Sequence, residues 1–179
     1  MSGATLRDHR PGRSGRSGRV GRVLWGRPPG DWVGLLARLV LGGVLLTAGA
    51  LKVTVPLVSA RAVQAYQIFP FDVAAYIGYA LPVIEIVLGL LLIVGLFTRF
   101  AAALGTLLML AFVVGIASAW ARGLNIDCGC FGGGGQIGQD ETTYGIDIAR
   151  DLGLAALGAW LVWRPRSAFA LDTRLEGSA

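Results

Sequence analysis

The stretch Phe100-Ala-Ala-Ala-Leu-Gly-Thr-Leu-Leu-Met-Leu-Ala-Phe-Val-Val-Gly-Ile-Ala-Ser-Ala-Trp-Ala121 carries no formal charge. A bilayer core of about 30 Å is crossed by roughly 20 apolar residues in a helix, so this run is long enough. Three more runs share its character: Trp32 to Leu51, broken by Arg38; Val73 to Phe97, containing Pro82 and Glu85; and Tyr144 to Trp163, with Asp147, Arg150 and Asp151 near its start. Backbone polar groups in hydrocarbon must be satisfied within the segment, which makes each run a helix. The whole chain of 179 residues is 54% hydrophobic and only 15% charged, with a mean hydropathy of +0.63. A soluble domain is about a quarter charged, and one this small has too much surface to bury so much apolar material. An ordinary soluble globule, a disordered chain and a disulfide-rich miniprotein are thereby excluded.

The fold expected is all-α, a polytopic membrane four-helix bundle spanning residues 31–164, between a basic tail over 1–30 and a second tail over 165–179. Gly42, Gly43, Gly49, Gly89, Gly95, Gly105, Gly115, Gly153 and Gly158 recur along the runs, and small residues let membrane helices approach closely. The segment Val53 to Asp72 is too polar to span. Val55, Val58, Ala62, Tyr66 and Phe69 fall at helical spacing there, which predicts a short interfacial helix with Pro56 in its first turn and Pro70 at its end. The first run is too long for a cleaved signal peptide and reads as an uncleaved anchor.

Basic residues set the orientation. Arg7, Arg10, Arg13, Arg16, Arg19, Arg22, Arg27, Arg99, Arg164, Arg166 and Arg174 fall on one side, and Lys52, Arg61, Arg122 and Arg150 on the other. Eleven against four predicts cytoplasmic termini in a plasma membrane and an extracytoplasmic loop from Arg122 to Thr143. The arginine-serine-glycine tail has no apolar periodicity and reads as disordered. Tethered beside a bilayer, it suits anionic headgroups better than nucleic acid.

That loop holds both cysteines of the chain, in Asp127-Cys128-Gly129-Cys130-Phe131-Gly132-Gly-Gly-Gly135. Glycine at 129 permits the tight geometry of a Cys-X-Cys ring. A ring so small departs from relaxed disulfide geometry, and strained, accessible disulfides are the labile ones. Three uses stay open: thiol–disulfide exchange, a metal site, or a fixed disulfide that shapes the loop. The single histidine, His9, lies in the tail, so a metal would need carboxylates such as Asp127 or a second protomer, and none is expected.

Charges inside a membrane need partners. Arg38 lies 13 residues before Leu51 and Glu85 lies 12 residues after Val73, about 20 and 18 Å from those presumed ends at 1.5 Å per residue. The two are therefore expected at similar depth, paired either to lock the helices or to line a quinone or proton path. Lys52, Arg150 and Asp151 fall near the outer surface, where they either favour a thiolate in the cysteine loop or anchor helix ends. Phe131, Trp120 and Tyr144 offer rings that stack on a quinone or sit in the aromatic belt.

In this order, Arg38-Leu-Val-Leu-Gly42, Ala48-Gly-Ala-Leu-Lys52, Ala65-Tyr-Gln-Ile-Phe-Pro70, Leu81-Pro-Val-Ile-Glu85, Cys128-Gly-Cys-Phe-Gly132 and Ala149-Arg-Asp151 resemble the MauE (methylamine utilisation) family of DoxX-like membrane proteins. The resemblance implies a four-helix bundle and a role in maturing envelope proteins by supporting disulfide formation. In methylamine-utilising bacteria the implied client is the disulfide-rich small subunit of methylamine dehydrogenase. The expected activity is exchange between Cys128–Cys130 and an extracytoplasmic thioredoxin-like or other thiol protein, with a quinone as one electron acceptor. Gly129, Phe131, Arg38, Glu85, Lys52, Arg150 and Asp151 are the supporting residues. The alternative is a non-enzymatic assembly factor, or a small transporter-like bundle, in which the cysteine pair is structural.

Overall fold

The computed structural model describes residues 29–129, 133, 135–136, 138 and 143–164. Both tails, Cys130, Phe131 and Gly132 lie outside them. Five helices follow in order: α1 (Pro29–Val53), α2 (Pro56–Ala65), α3 (Phe71–Val94), α4 (Thr98–Ala121) and, after a two-stranded antiparallel ribbon of β1 (Ile126–Asp127) and β2 (Gly135–Gln136), α5 (Tyr144–Trp163). The segments Gly30–Val53, Phe71–Val94 and Thr98–Ala121 are long and apolar enough to cross a membrane. Helix α5 spans 20 residues but carries Asp147, Arg150 and Asp151, and is not one of these three.

The helices pack as two pairs, α1 with α3 and α4 with α5, joined through α1–α5 and α3–α4 contacts. Glycine explains the first pair. A Cβ on Gly89 would stand 2.7 Å from the Leu46 amide nitrogen, and one on Gly49 would stand 2.7 Å from the Pro82 carbonyl. The two backbones therefore touch, as small-residue interfaces allow. The expectation does not extend to every glycine: Gly43 and Gly153 meet nothing within 4 Å. Gly95 caps α3 in the left-handed region (φ 75), where its N–H and that of Leu96 reach the Leu91 carbonyl. That cap stops α3 at Val94, three residues before the expected Phe97, and lets the chain reverse into α4.

One end of the bundle is mainly apolar. Leu41, Leu45, Leu92, Ala101, Ala102 and Leu161 form its core. Leu36, Val87, Leu107 and Val114 point outward, half or more exposed, so contiguous apolar surface wraps the helices where lipid tails would lie. Helix α2 crosses the other end and packs on α3. It presents Ser59, Ala60 and Ala62, while Val55 and Phe69 are exposed. Of the expected apolar face, Ala62 is buried and Val58 and Tyr66 are half-buried, while small residues fill the closest approach, because Gly78 brings the α3 backbone against Ala60. Pro56 opens α2 as expected; Pro70 caps the start of α3 instead of ending α2.

Candidate functional site

The site lies at the ribbon end. Lys52 occupies the last turn of α1, where a cation complements the helix dipole. Side chains on a helix lean toward its N-terminus, so the long Lys52 stem folds back into the bundle. Its Nζ meets Glu85 Oε1 at 2.6 Å, with only 6% and 1% of the two side chains exposed. The Phe112 ring of α4 lies 5.2 Å from the same ammonium, a cation–π contact strengthened by the dry setting.

This pair corrects the expected Arg38–Glu85 contact. Arg38 is buried and its Nη2 donates to the Ile93 carbonyl at 3.4 Å. Eight residues separate Ile93 from Glu85, about 12 Å along α3. The depth estimate failed because α3 starts farther out than α1 ends. Gly49 lies against Pro82 and Glu85, so the outer end of α1 meets α3 well below Val73.

Helix α5 supplies the second charged group. Arg150 Nη1 meets Asp147 Oδ1 at 3.0 Å and its Nε meets Asp151 Oδ1 at 3.0 Å. Thr143 Oγ1 donates to Asp147 Oδ2 at 2.9 Å. The guanidinium is thereby held between two carboxylates, and its Nη2 comes within 3.9 Å of Cys128 Sγ. Lys52, Tyr66, Cys128 and Gly129 line one small cavity of about 30 Å³, room for a water. Lys52, Arg150 and Asp151 are therefore gathered beneath the cysteine loop, as the sequence suggested. Arg38 is not part of the group, and Cys130 and Phe131 fall outside the described residues.

Several residues hold the loop in place through contacts that the sequence did not reveal. The Tyr66 hydroxyl donates to the Cys128 carbonyl at 3.0 Å. Arg122 donates to the Tyr66 and Gln67 carbonyls, which ties the exit of α2 to the end of α4. Tyr144 is buried. Its hydroxyl accepts the Ile126 N–H at 2.8 Å and donates to the Leu124 carbonyl. It packs 6.2 Å from Trp120, ring centre to ring centre, but only Trp120 stays exposed. The one available signal was Tyr66 within the Ala65–Pro70 segment. Asp127 Oδ1 accepts the Gly129 N–H at 3.3 Å, and Gly129 takes φ 69, a conformation that suits glycine.

The arrangement is a partly buried thiol beside a clamped guanidinium, above a buried lysine–glutamate pair. A neighbouring cation stabilises a thiolate over a thiol. A family model described as methylamine utilisation protein MauE matches residues 30–164, which takes in every helix named above. Comparison with curated proteins and with solved structures returned no match.

Proposed function

The chain belongs to the MauE family, and on that premise we propose that this multi-pass membrane protein exchanges disulfides with envelope proteins through Cys128 and Cys130. The observation that carries the reading is Arg150 Nη2 at 3.9 Å from Cys128 Sγ, with the guanidinium fixed by Asp147 and Asp151. A reduced thioredoxin-like partner attacks the Cys128–Cys130 disulfide as a thiolate, and a mixed disulfide forms. The second partner thiol then displaces the pair, so the partner leaves oxidised and the pair is left as a dithiol. Arg150 stabilises the departing Cys128 thiolate.

In this reading α5 is the fourth span of a four-helix bundle. Its three charges are tolerated because Asp147 and Asp151 are buried against neighbouring helices and paired with Arg150. Helix α2 lies at the outer interface. The arginine distribution puts both termini in the cytoplasm and the cysteine loop on the oxidising side of the plasma membrane. Electrons returned to the pair leave through a two-electron acceptor, and a bound quinone would supply that chemistry. Trp120, exposed on a cleft of about 300 Å³ shared with Ile146, is the ring that would hold it. The Tyr144 hydroxyl is already engaged within the loop.

The test is thiol trapping in intact cells with a membrane-impermeant alkylating agent, followed by capture of mixed disulfides in Cys128→Ser and Cys130→Ser variants. Growth-dependent oxidation and a covalently trapped thiol protein are expected. A pair that stays oxidised throughout, with both variants silent on envelope disulfides, would leave the assembly-factor reading in its place.

A further inference from the structure

Glu85 and Asp151 are the most deeply buried acids described, 1% and 2% exposed. Each uses one oxygen for a cation: Glu85 Oε1 for Lys52 and Asp151 Oδ1 for Arg150. Their other oxygens, Oε2 and Oδ2, are buried with no hydrogen-bond partner among the described residues. Both residues line the same narrow cavity of about 10 Å³, closed by Phe112 and Met109 of α4 and by Leu154. Arg150 lines the same cavity, so two carboxylates, each with one unpartnered oxygen able to take a proton, are gathered around one small space with a single guanidinium.

Charge counting points the same way. The charged groups packed together beneath the loop are Lys52 from α1, Glu85 from α3, and Asp147, Arg150 and Asp151 from α5, beside the Phe112 ring of α4; Arg61 of α2 and Arg122 after α4 are exposed, and Asp127 of β1 is half-buried. Two cations face three acids. Asp147 has both oxygens engaged, by Arg150 and Thr143, so the unbalanced charge falls on Glu85 and Asp151.

We propose that the Glu85–Asp151 carboxylate pair is the proton acceptor for the Cys128 thiol. The inference rests on the exchange reading above. The Cys128 S–H bond breaks, the sulfur keeps the electron pair as a thiolate beside Arg150, and one carboxylate becomes a carboxylic acid; no electrons leave the site. The route is a chain of shared cavities and one ion pair. Cys128 and Lys52 share the water-sized cavity, Lys52 is bonded to Glu85, and Glu85 shares the second cavity with Asp151. Moving the proton to the acids keeps the local charge constant, whereas releasing it to bulk would add a fourth negative charge to a low-dielectric site.

The experiment is infrared difference spectroscopy of the full chain in lipid nanodiscs, oxidised against dithiothreitol-reduced. A carboxylic-acid C=O band is expected on reduction. Carboxyl-¹³C aspartate or glutamate in the wild-type chain shifts it, an assignment that requires no variant to fold. Cys128→Ser abolishes it, because no thiolate forms. Absence of any acid band, or a band that persists in Cys128→Ser, overturns the proposal. These readouts use a chemical reductant. If no partner protein is ever trapped in cells, the exchange reading fails while the infrared result still decides the proton site by itself.

Discussion

The two ends of this bundle are built from the same helices and follow opposite rules. At the Gly95 end the interior is Leu41, Leu45, Leu92 and Leu161, closed by alanines, with one buried cation, Arg38, held on the Ile93 carbonyl and no buried acid among the described residues. At the ribbon end it is Lys52, Glu85, Asp147 and Asp151, with Arg150 reaching up to Cys128. Both ends are buried, so burial alone does not mark the site. What differs is that the ribbon end gathers ion-paired charges of both signs beneath the loop that carries Cys128. A helix pair needs no lysine–glutamate contact to pack in lipid, where small residues suffice; Gly42, Gly49 and Gly89 already provide it.

The largest effect is expected where that contrast is broken on one side only. Glu85→Gln leaves the Lys52 ammonium buried without its counter-charge, and breaking a buried pair in this way costs about 3–5 kcal/mol. Thermal unfolding in detergent should show it as a strongly lowered midpoint. The paired change Lys52→Met with Glu85→Leu should recover most of that stability, since it converts the ribbon end to the rule of the other end. It should also abolish thiol exchange, which separates packing from chemistry in a single protein.

Leu41→Ala tests the mainly apolar end. The side chain is fully buried, and truncation of such a leucine costs about 2–5 kcal/mol through lost contacts and a cavity. Val87→Ala, half exposed on the lipid side, should be close to neutral in the same assay. Thiol reactivity at Cys128, measured by alkylation rate, should be unaffected by both. A Leu41→Ala change in that rate would mean that the two ends are not independent.

Much of this was readable beforehand, and the failures share one cause. The runs gave the helices, because apolar length is a one-dimensional signal. The Ala48–Lys52, Leu81–Glu85 and Ala149–Asp151 segments were singled out from the sequence, and the fold brings them together at one end. Pairing was misjudged, because the register between α1 and α3 is set by where Gly49 and Gly89 permit backbone contact, which sequence distance from an assumed membrane surface does not reveal. Tyr66 and Tyr144 were seen only as spacing and aromaticity. Their hydroxyl partners, the Cys128 and Leu124 carbonyls, lie 62 and 20 residues away and carry no pattern in the chain.

Gly89→Ala comes next in size. The added methyl would stand 2.7 Å from the Leu46 nitrogen and 2.8 Å from the Gly42 carbonyl oxygen. Backbone cannot swing aside as a side chain does, so α1 and α3 must separate, at about 1–3 kcal/mol. Gly43→Ala on the same helix as Gly42 meets open space and should be neutral or slightly stabilising, because alanine is the better helix former. The same melting assay compares them directly, and equal losses would show that glycine acts here through propensity and not through contact.

The smallest effect belongs to the loop itself. Tyr66→Phe removes one hydroxyl, the donor to the Cys128 carbonyl, and a single neutral hydrogen bond is worth about 1 kcal/mol. Global stability should hardly move, since the ring still packs against Gly115. What should change is local. Amide hydrogen exchange over residues 126–129 should accelerate about fivefold, the factor that 1 kcal/mol gives, while exchange in α1 and α3 stays at the wild-type rate. If the held loop keeps Cys128 within reach of Arg150, the alkylation rate of that thiol should fall alongside. If loop exchange accelerates and thiol reactivity does not change, Arg150 follows the loop and the tyrosine is merely a strut. If both change together, the Tyr66 hydroxyl, just past the end of α2, sets the distance between sulfur and guanidinium, and the cysteine-bearing end of the bundle extends to the exit of a helix that does not cross it.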